Sequence, residues 1–332
     1  MVRFLIIRFS SIGDIILTTP VVRHLKNQVK GAEIHYLTKS EFVPLLKANP
    51  HIDRIHSFDG DMKKCLKDLK KVGFDYIIDL HNNARTARIK IALKRMDLSV
   101  RKLNLKKWIY VNFKVNLLPD RHIVERNLDT IRAFIDERDH QGLDYYISGD
   151  EQVDLLTLPE AFRKATIAMA IGGKHETKKL PAESLIRLCS RLEYPVILLG
   201  DRSDHETGEA VVAALPEKAI FNACSKYSMN ESASLVQQSD LLITHDTGLM
   251  HVGAAFRKKV LTIWGNTTPA LGMYAYRPDP LSVNFEVKGL SCRPCSKIGY
   301  KKCPRGHFKC MLEQDLDGIA KIANRLCRAE TE

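Results

Sequence analysis

Short apolar runs recur along this chain between stretches of helical periodicity, and that alternation restricts it to one class of fold. Val2–Ile7, Glu33–Leu37, Asp53–Phe58 and Asp75–Leu80 read as strands. Between and after them, Asp14–Val29 (kinked at Pro20), Glu41–Ala48, Met62–Val72, Ala84–Lys94 and His122–Glu137 read as helices. Asp144–Ile147 reads as a last strand, and the polar stretch Ser148–Glu151 marks a boundary. The pattern then restarts. Thr166–Ile171, Pro195–Leu199, Leu241–Thr244 and Val260–Trp264 are strands; Pro181–Leu192, His205–Leu215, Glu231–Gln238 and Thr247–Phe256 are helices. Alternation of this kind implies parallel sheets with right-handed crossovers. The expected fold is α/β, with two doubly wound domains, residues 1–150 and 151–332, facing a cleft. Ligands in such folds sit at the carboxyl ends of strands. The candidate loops are therefore Ser10–Asp14, Leu80–Arg85, Gly172–Lys178 and His245–Gly248.

Two of these loops carry chemistry. In Asp240–Phe256 an apolar strand runs into the polar turn His245-Asp246-Thr247-Gly248 and then into a helix. Backbone N–H groups near Thr247, Gly248 and Leu249 lie at the positive end of that helix, a place suited to a phosphate or diphosphate. His251, one turn after Thr247, can face the same ligand. The competing reading is an ordinary turn in which Asp246 or Thr247 caps the helix. In the first loop, Ser10-Ser11-Ile12-Gly13-Asp14, Gly13 permits a tight turn and Asp14 opens the next helix. Asp14 is either a first-turn acid stabilised by the helix dipole or a carboxylate placed to take a proton from a hydroxyl.

Absent motifs narrow the field. No G-x-G-x-x-G follows a strand, which removes support for nicotinamide or flavin binding. Gly172-Gly173-Lys174 lacks the earlier glycine and the following Ser or Thr of a P-loop. Neither a G-x-S-x-G elbow nor a kinase signature occurs. The start of the chain reads as a strand, not a signal peptide, and no stretch approaches the ~20 apolar residues that span a bilayer. A cytoplasmic location is expected. The formal net charge of +12 is uneven: Arg85–Arg126 holds twelve Lys and Arg against three acids. Inside it, Lys106–Lys114 interleaves lysines with Trp108, Tyr110 and Phe113. That composition suits the headgroup layer of an anionic membrane or an acidic lipid substrate. A nucleic-acid surface and a simply solvated face are the competing readings.

Six motifs then fall in order along the chain. They are S-S-I-G-D at Ser10–Asp14, D-L-H-N-N-x-R-T-A at Asp79–Ala87, H-x-V-E-R at His122–Arg126, K-x-L-P at Lys178–Pro181, D-T-G-L-M-H at Asp246–His251 and W-G-N-T-T-P at Trp264–Pro269. Together they resemble the family 9 glycosyltransferases, the ADP-heptose:lipopolysaccharide heptosyltransferases. The resemblance spans residues 2 to about 320. It implies the GT-B fold, with two Rossmann-like domains: an N-terminal one that binds the acceptor and a C-terminal one that binds the nucleotide-sugar donor. It also allows the last helix to turn back onto the first domain. The implied reaction moves heptose from ADP-heptose to the lipopolysaccharide inner core, inverting, with no catalytic metal and no required cofactor. By the same resemblance Asp14 is the general base. Lys178 neutralises the departing diphosphate, although the family's tryptophan two positions later is Leu180 here. Asp246, Thr247, Gly248, Leu249 and His251 form the donor turn, and Glu231 holds the ribose. Ser10, Ser11, Gly13, Arg85 and Arg126 lie on the acceptor side. The implied partners are a nucleotide sugar, an anionic lipid-linked oligosaccharide and the inner face of the inner membrane, with no nucleic acid.

Four of the eight cysteines, Cys292, Cys295, Cys303 and Cys310, follow the spacing C-x2-C-x7-C-x6-C with His307 among them. The first knuckle is a structural-zinc signal, weakened because no second C-x2-C matches it. Reduced thiols in a packed loop are the alternative, and no catalytic role follows from either. Arg293 beside them is a candidate to face the anionic acceptor. Cys65, Cys189, Cys224 and Cys327 read as isolated thiols. Two other functions stay open. A soluble nucleotide-sugar enzyme of the same fold, such as an epimerase, has no need of the Trp108 segment. A zinc-containing nucleic-acid binder explains the charge and cysteines but not the Asp14 and Asp246 turns.

Overall fold

The computed structural model describes residues 1–328. In chain order the first half runs β1 (Val2–Ile7), α1 (Ile12–Ile16), α2 (Thr19–Gln28), β2 (Ala32–Lys39), β3 (Arg54–Phe58), α3 (Met62–Lys70), β4 (Tyr76–Asp79), α4 (Ala84–Leu93), β5 (Met96–Ser99), α5 (Asn104–Phe113) and α6 (Ile123–Asp129). The second half runs β6 (Ile167–Ala170), α7 (Ala182–Cys189), β7 (Val196–Leu199), α8 (His205–Ala214), β8 (Ile220–Asn222), α9 (Met229–Gln238), β9 (Leu241–His245), α10 (Gly248–Ala255), β10 (Lys259–Trp264), β11 (Val283–Glu286), α11 (Lys309–Leu312) and α12 (Leu316–Arg328).

Two compact units result, Met1–Leu103 with Arg121–Ser148, and Asn104–Asp120 with the rest of the chain from Gly149. The first contains a five-stranded sheet in the order β3-β2-β1-β4-β5. The second contains a six-stranded sheet in the order β11-β10-β9-β6-β7-β8. Every strand pair is parallel. The cause is legible in the central strands. Phe4–Ile7, Ile167–Ala170 and Leu241–Ile243 are buried at every position, as strands covered by helices on both faces must be. These are two doubly wound α/β units, the fold class the alternation predicts.

Local chemistry corrects several boundaries. The helix expected over Asp14–Val29 breaks at Leu17–Thr18. There the Thr18 hydroxyl donates to the Ile15 carbonyl (2.6 Å) and meets Tyr36 Oη (2.7 Å), and Thr19 Oγ1 donates to the Ile16 carbonyl (2.9 Å). Pro20 therefore sits in the first turn of α2, where its missing N–H costs nothing, and does not kink a longer helix. Ser40–Leu45 is a 3-10 turn containing Pro44, not an α-helix. The long helix expected over His122–Glu137 ends at Asp129, followed by a separate 3-10 turn at Arg132–Phe134. Asp144–Ile147 forms no strand. Three strands, β5, β8 and β11, lie at or near sheet edges where the sequence signal is short. The last helix packs in the second unit, with Leu316, Ile319, Ala323 and Leu326 in the core beneath α7 and β10.

Candidate active site

In the first unit the chemistry gathers where β1 ends. Ser11 caps α1, and Asp14 three residues later completes a reciprocal capping box. Asp14 Oδ2 accepts from the Ser11 N–H (3.2 Å) and hydroxyl (2.9 Å). Its other oxygen pairs with Arg8 Nη2 at 2.6 Å. Arg8 is itself anchored on two carbonyls, Ser10 (2.9 Å) and Leu80 (2.5 Å). Burial pushes the Asp14 carboxyl up, but the Arg8 guanidinium and the Ser11 hydrogen bonds outweigh it and hold it below the usual range. The Asp14 side chain keeps about 25% exposure, so an ionised carboxylate is presented at the carboxyl end of the central strand. Ser10 precedes and Ser11 caps α1, whereas Gly13, expected to permit a tight turn, lies buried within the helix. Arg8 is a member of the site that sequence reading passes over, because it looks like an ordinary interruption of an apolar run.

The loop after β4 is the second feature. Asp79 is fully buried and accepts from the His81 and Asn82 N–H groups (3.0 and 2.6 Å). Asn83 caps α4 by accepting from the Arg85 and Thr86 N–H groups, which leaves the Arg85 side chain exposed in the first turn. Arg126, on α6, is different. It is only 7% exposed, its guanidinium donates to the Arg101 carbonyl (3.2 Å), and Nε has no partner. Burial, then the neighbouring Arg121, pulls its guanidinium below the ordinary range. A buried cation without a carboxylate is expensive unless an anion completes it.

In the second unit three loops meet at the carboxyl ends of the adjacent strands β10, β9 and β6. Lys178 ends the loop after β6. Its Nζ pairs with Asp246 Oδ2 at 2.6 Å and donates to the Asp246 carbonyl at 3.0 Å. Thr267, in the loop after β10, donates its hydroxyl to the same Asp246 oxygen (2.8 Å). Thr247 stands at the N-cap of α10 in extended conformation without a side-chain cap. Asp246 is committed to Lys178 and Thr267, so neither the Asp246 nor the Thr247 side chain caps the helix. Gly248 and Leu249 begin α10 half-buried, and His251 is buried on it. Below the turn, His245 Nε2 accepts from the Leu180 N–H (3.0 Å), and burial pushes that imidazole down to about 3. Leu180 fills the core.

The remaining candidates fall as follows. Glu231 lies in the first turn of α9, and its Oε2 accepts from the Ser228 N–H (2.6 Å) in a capping box, so one carboxylate oxygen already has a structural task. Cys292, Cys295, Cys303 and Cys310 lie close enough that each of the first three raises the Cys310 thiol, after burial, to about 12. Yet among the described residues no group of three or more His, Cys, Asp or Glu is arranged to hold a metal ion. Arg293 does not face outward toward an acceptor. It is turned inward, donating to the carbonyls of Gly265 (2.6 Å), Val287 (2.7 Å) and Thr267 (2.8 Å) and pairing with Glu286 (2.9 Å). Cys65, Cys189, Cys224 and Cys327 are all buried free thiols.

Two doubly wound parallel units of this kind give the chain the GT-B fold. The chain belongs to glycosyltransferase family 9 (heptosyltransferase), whose profile it matches over residues 62–307. It is 27% identical over 290 residues to lipopolysaccharide heptosyltransferase 1 of Campylobacter coli, covering 80% of this chain and 84% of that one. Its fold is like that of the E. coli ADP-heptose lps heptosyltransferase II, with a TM-score of 0.76 at 19% identity over 99% and 100% of the two chains. It is also like that of a family 9 glycosyl transferase from Veillonella parvula, with a TM-score of 0.79 at 20% identity over 98% and 97%. The epimerase and nucleic-acid readings have no comparable support.

Proposed function

We propose that this enzyme transfers heptose from ADP-heptose to a sugar of the lipopolysaccharide inner core, in one inverting step that needs no metal. The observation that carries the reading is the Asp14 carboxylate, kept ionised and aimed by Arg8 and Ser11 in a chain of this family. As general base it takes the proton of the acceptor hydroxyl. The freed oxygen attacks the anomeric carbon from the face opposite the diphosphate. The bond to the diphosphate breaks with its electron pair on the phosphate oxygen, through an oxocarbenium-like state. In the donor unit, Lys178 and the first N–H groups of α10, at Gly248 and Leu249, stabilise the charge that gathers on departing ADP. Asp246 and Thr247 orient that lysine and that helix start. The second Glu231 oxygen is assigned to the ribose, and His251 to the donor side of α10.

On the acceptor side, Arg126 and Arg85 bind the carboxylate or phosphates of the inner core; the unpaired, buried guanidinium of Arg126 supports this most directly. The acceptor is anchored in a membrane, and helix α5 suits that surface. It buries no residue, and Leu105, Trp108 and Phe113 stand exposed beside Lys106 and Lys107. No described helix is long and apolar enough to cross a membrane, so the proposed location is peripheral, on the cytoplasmic face of the inner membrane. The test is turnover of ADP-heptose against other ADP-, UDP- and GDP-sugars on inner-core lipid acceptors, with and without EDTA. The anomeric configuration of the product is read by NMR. Retention, a chelator-sensitive rate, or preference for another sugar nucleotide each overturns the corresponding part.

A further inference from the structure

The donor half-site is enclosed by a ring of contacts that begins and ends in the cysteine-rich segment. Arg293 Nη2 donates to the Thr267 carbonyl (2.8 Å), and the Thr267 hydroxyl donates to Asp246 (2.8 Å). Asp246 pairs with Lys178 (2.6 Å). The residue before that lysine, Thr177, closes the ring. Its N–H and its hydroxyl both reach the Tyr300 carbonyl (3.2 Å each), and the Tyr300 N–H donates back to the Thr177 hydroxyl (2.8 Å). Thr177 and the Arg293 side chain are almost wholly buried.

Two glycines mark how closely the parts approach. A Cβ at Gly265 would lie 2.6 Å from the Thr177 carbonyl oxygen, and one at Gly299, at φ +126°, would lie 2.5 Å from His175 Cβ. Neither position accepts a side chain without moving the Lys178 loop. A third tie comes from the Cys295 N–H, which donates to the Asn266 carbonyl (3.2 Å) next to Thr267. A lysine beside an acid can settle in several geometries, since its ammonium is a point charge on a flexible stem. Here the loops on both sides of the Lys178–Asp246 pair are pinned by one segment.

We infer that Cys292–Tyr300 is the brace of the donor half-site, with Arg293 and Thr177 as positioning residues that hold Asp246 and Lys178 for a nucleoside diphosphate. The inference rests on the donor reading given above. Arg293 acts through Thr267, and Thr177 through the backbone of its neighbour; neither touches the ligand.

The test uses the full-length enzyme with ADP as probe, by calorimetry, alongside donor KM, acceptor KM and kcat. Thr177→Val keeps the shape and removes the hydroxyl; Thr177→Ser restores it. Arg293→Lys keeps the charge but cannot serve three carbonyls and a carboxylate together. Thr177→Val and Arg293→Lys are expected to weaken ADP binding and raise donor KM by about fivefold to a hundredfold, the range that a buried unmade hydrogen bond gives. Acceptor KM stays within twofold, and Thr177→Ser returns to wild type. If Arg293→Lys does not fold, Thr267→Val cuts the same side of the ring. Folded Thr177→Val with unchanged ADP affinity and donor KM overturns the inference. Lys178→Ala separates the two levels. If that variant also binds ADP normally, the donor-site reading fails; if it alone is weakened, only the brace does.

Discussion

Arg8 Nη2 and Asp14 Oδ1 lie 2.6 Å apart, at the carboxyl end of the central strand of the first sheet. A carboxylate held by a cation has a lower proton affinity than a free one, and at neutral pH it is ionised.

Asp14→Asn keeps the shape and the Ser11 contact but removes the proton acceptor. Turnover is expected to fall by roughly 10²–10⁴-fold, the span of general-base contributions, while ADP affinity stays near wild type. A mutant with near-normal kcat removes Asp14 from the mechanism.

Arg8→Met takes away the charge that lowers the Asp14 pKa and leaves the burial that raises it. The acid limb of kcat/KM is therefore expected to move to higher pH. An unshifted limb, in a variant that still folds, means the limb belongs to another group.

Arg126→Met replaces a buried, uncompensated cation with a side chain of similar reach. The variant is expected to be more stable in denaturant by roughly 0.5–2 kcal/mol, the usual gain of a single stabilising substitution, while acceptor KM rises at least ~10-fold, as for a lost charge-assisted contact. Loss of stability with unchanged KM marks Arg126 as structural.

Three imidazoles, His245 buried and His56 and His81 half-buried, set an acid limit. Burial pushes His56 and His81 down to about 4 and His245 to about 3. In the unfolded chain each binds a proton below about pH 6.5. Between that pH and about 4 the unfolded state holds more protons than the folded one, so stability falls as pH falls through this window. Thermal midpoints at pH 7.5, 6 and 5 should decline stepwise; a flat profile rules the histidines out as the cause.

For helix α5, replacing Trp108 and Phe113 with Ser should reduce co-sedimentation with anionic and neutral vesicles alike, because it removes apolar area that inserts into either. Wild-type binding should also weaken at high salt. Equal binding to both vesicle types removes the electrostatic part of the proposal.

Much of this was legible in the sequence because the strands at the centre of each sheet are apolar throughout: nothing but a doubly covered strand accommodates Phe4–Ile7 or Leu241–Ile243. The loops at their ends, with Asp14, Lys178 and Asp246, followed from that placement. The losses have specific causes. Thr18 and Thr19 break the first helix by turning their hydroxyls onto carbonyls one turn back, a choice that periodicity does not register. Strand β5, half solvent-facing with Met96 64% exposed, has no apolar signature to find. Arg293 reads as a surface charge because the four acceptors that bury it are distant in sequence or are backbone atoms. Arg8 escapes notice because it reads as an ordinary break in an apolar run.

The excursion of Asn104–Asp120 into the second unit has a topological consequence. The chain passes between the units three times, after Leu103, after Asp120 and after Ser148, so they are not two beads on one string. Cutting at Ser148 would separate the second unit from its own helix α5 and break the tie from Lys114 Nζ to the Pro294 carbonyl (2.8 Å). It would also leave the first unit trailing an amphipathic arm. Three covalent spans therefore join the two units, and no single cut of the chain yields both of them whole.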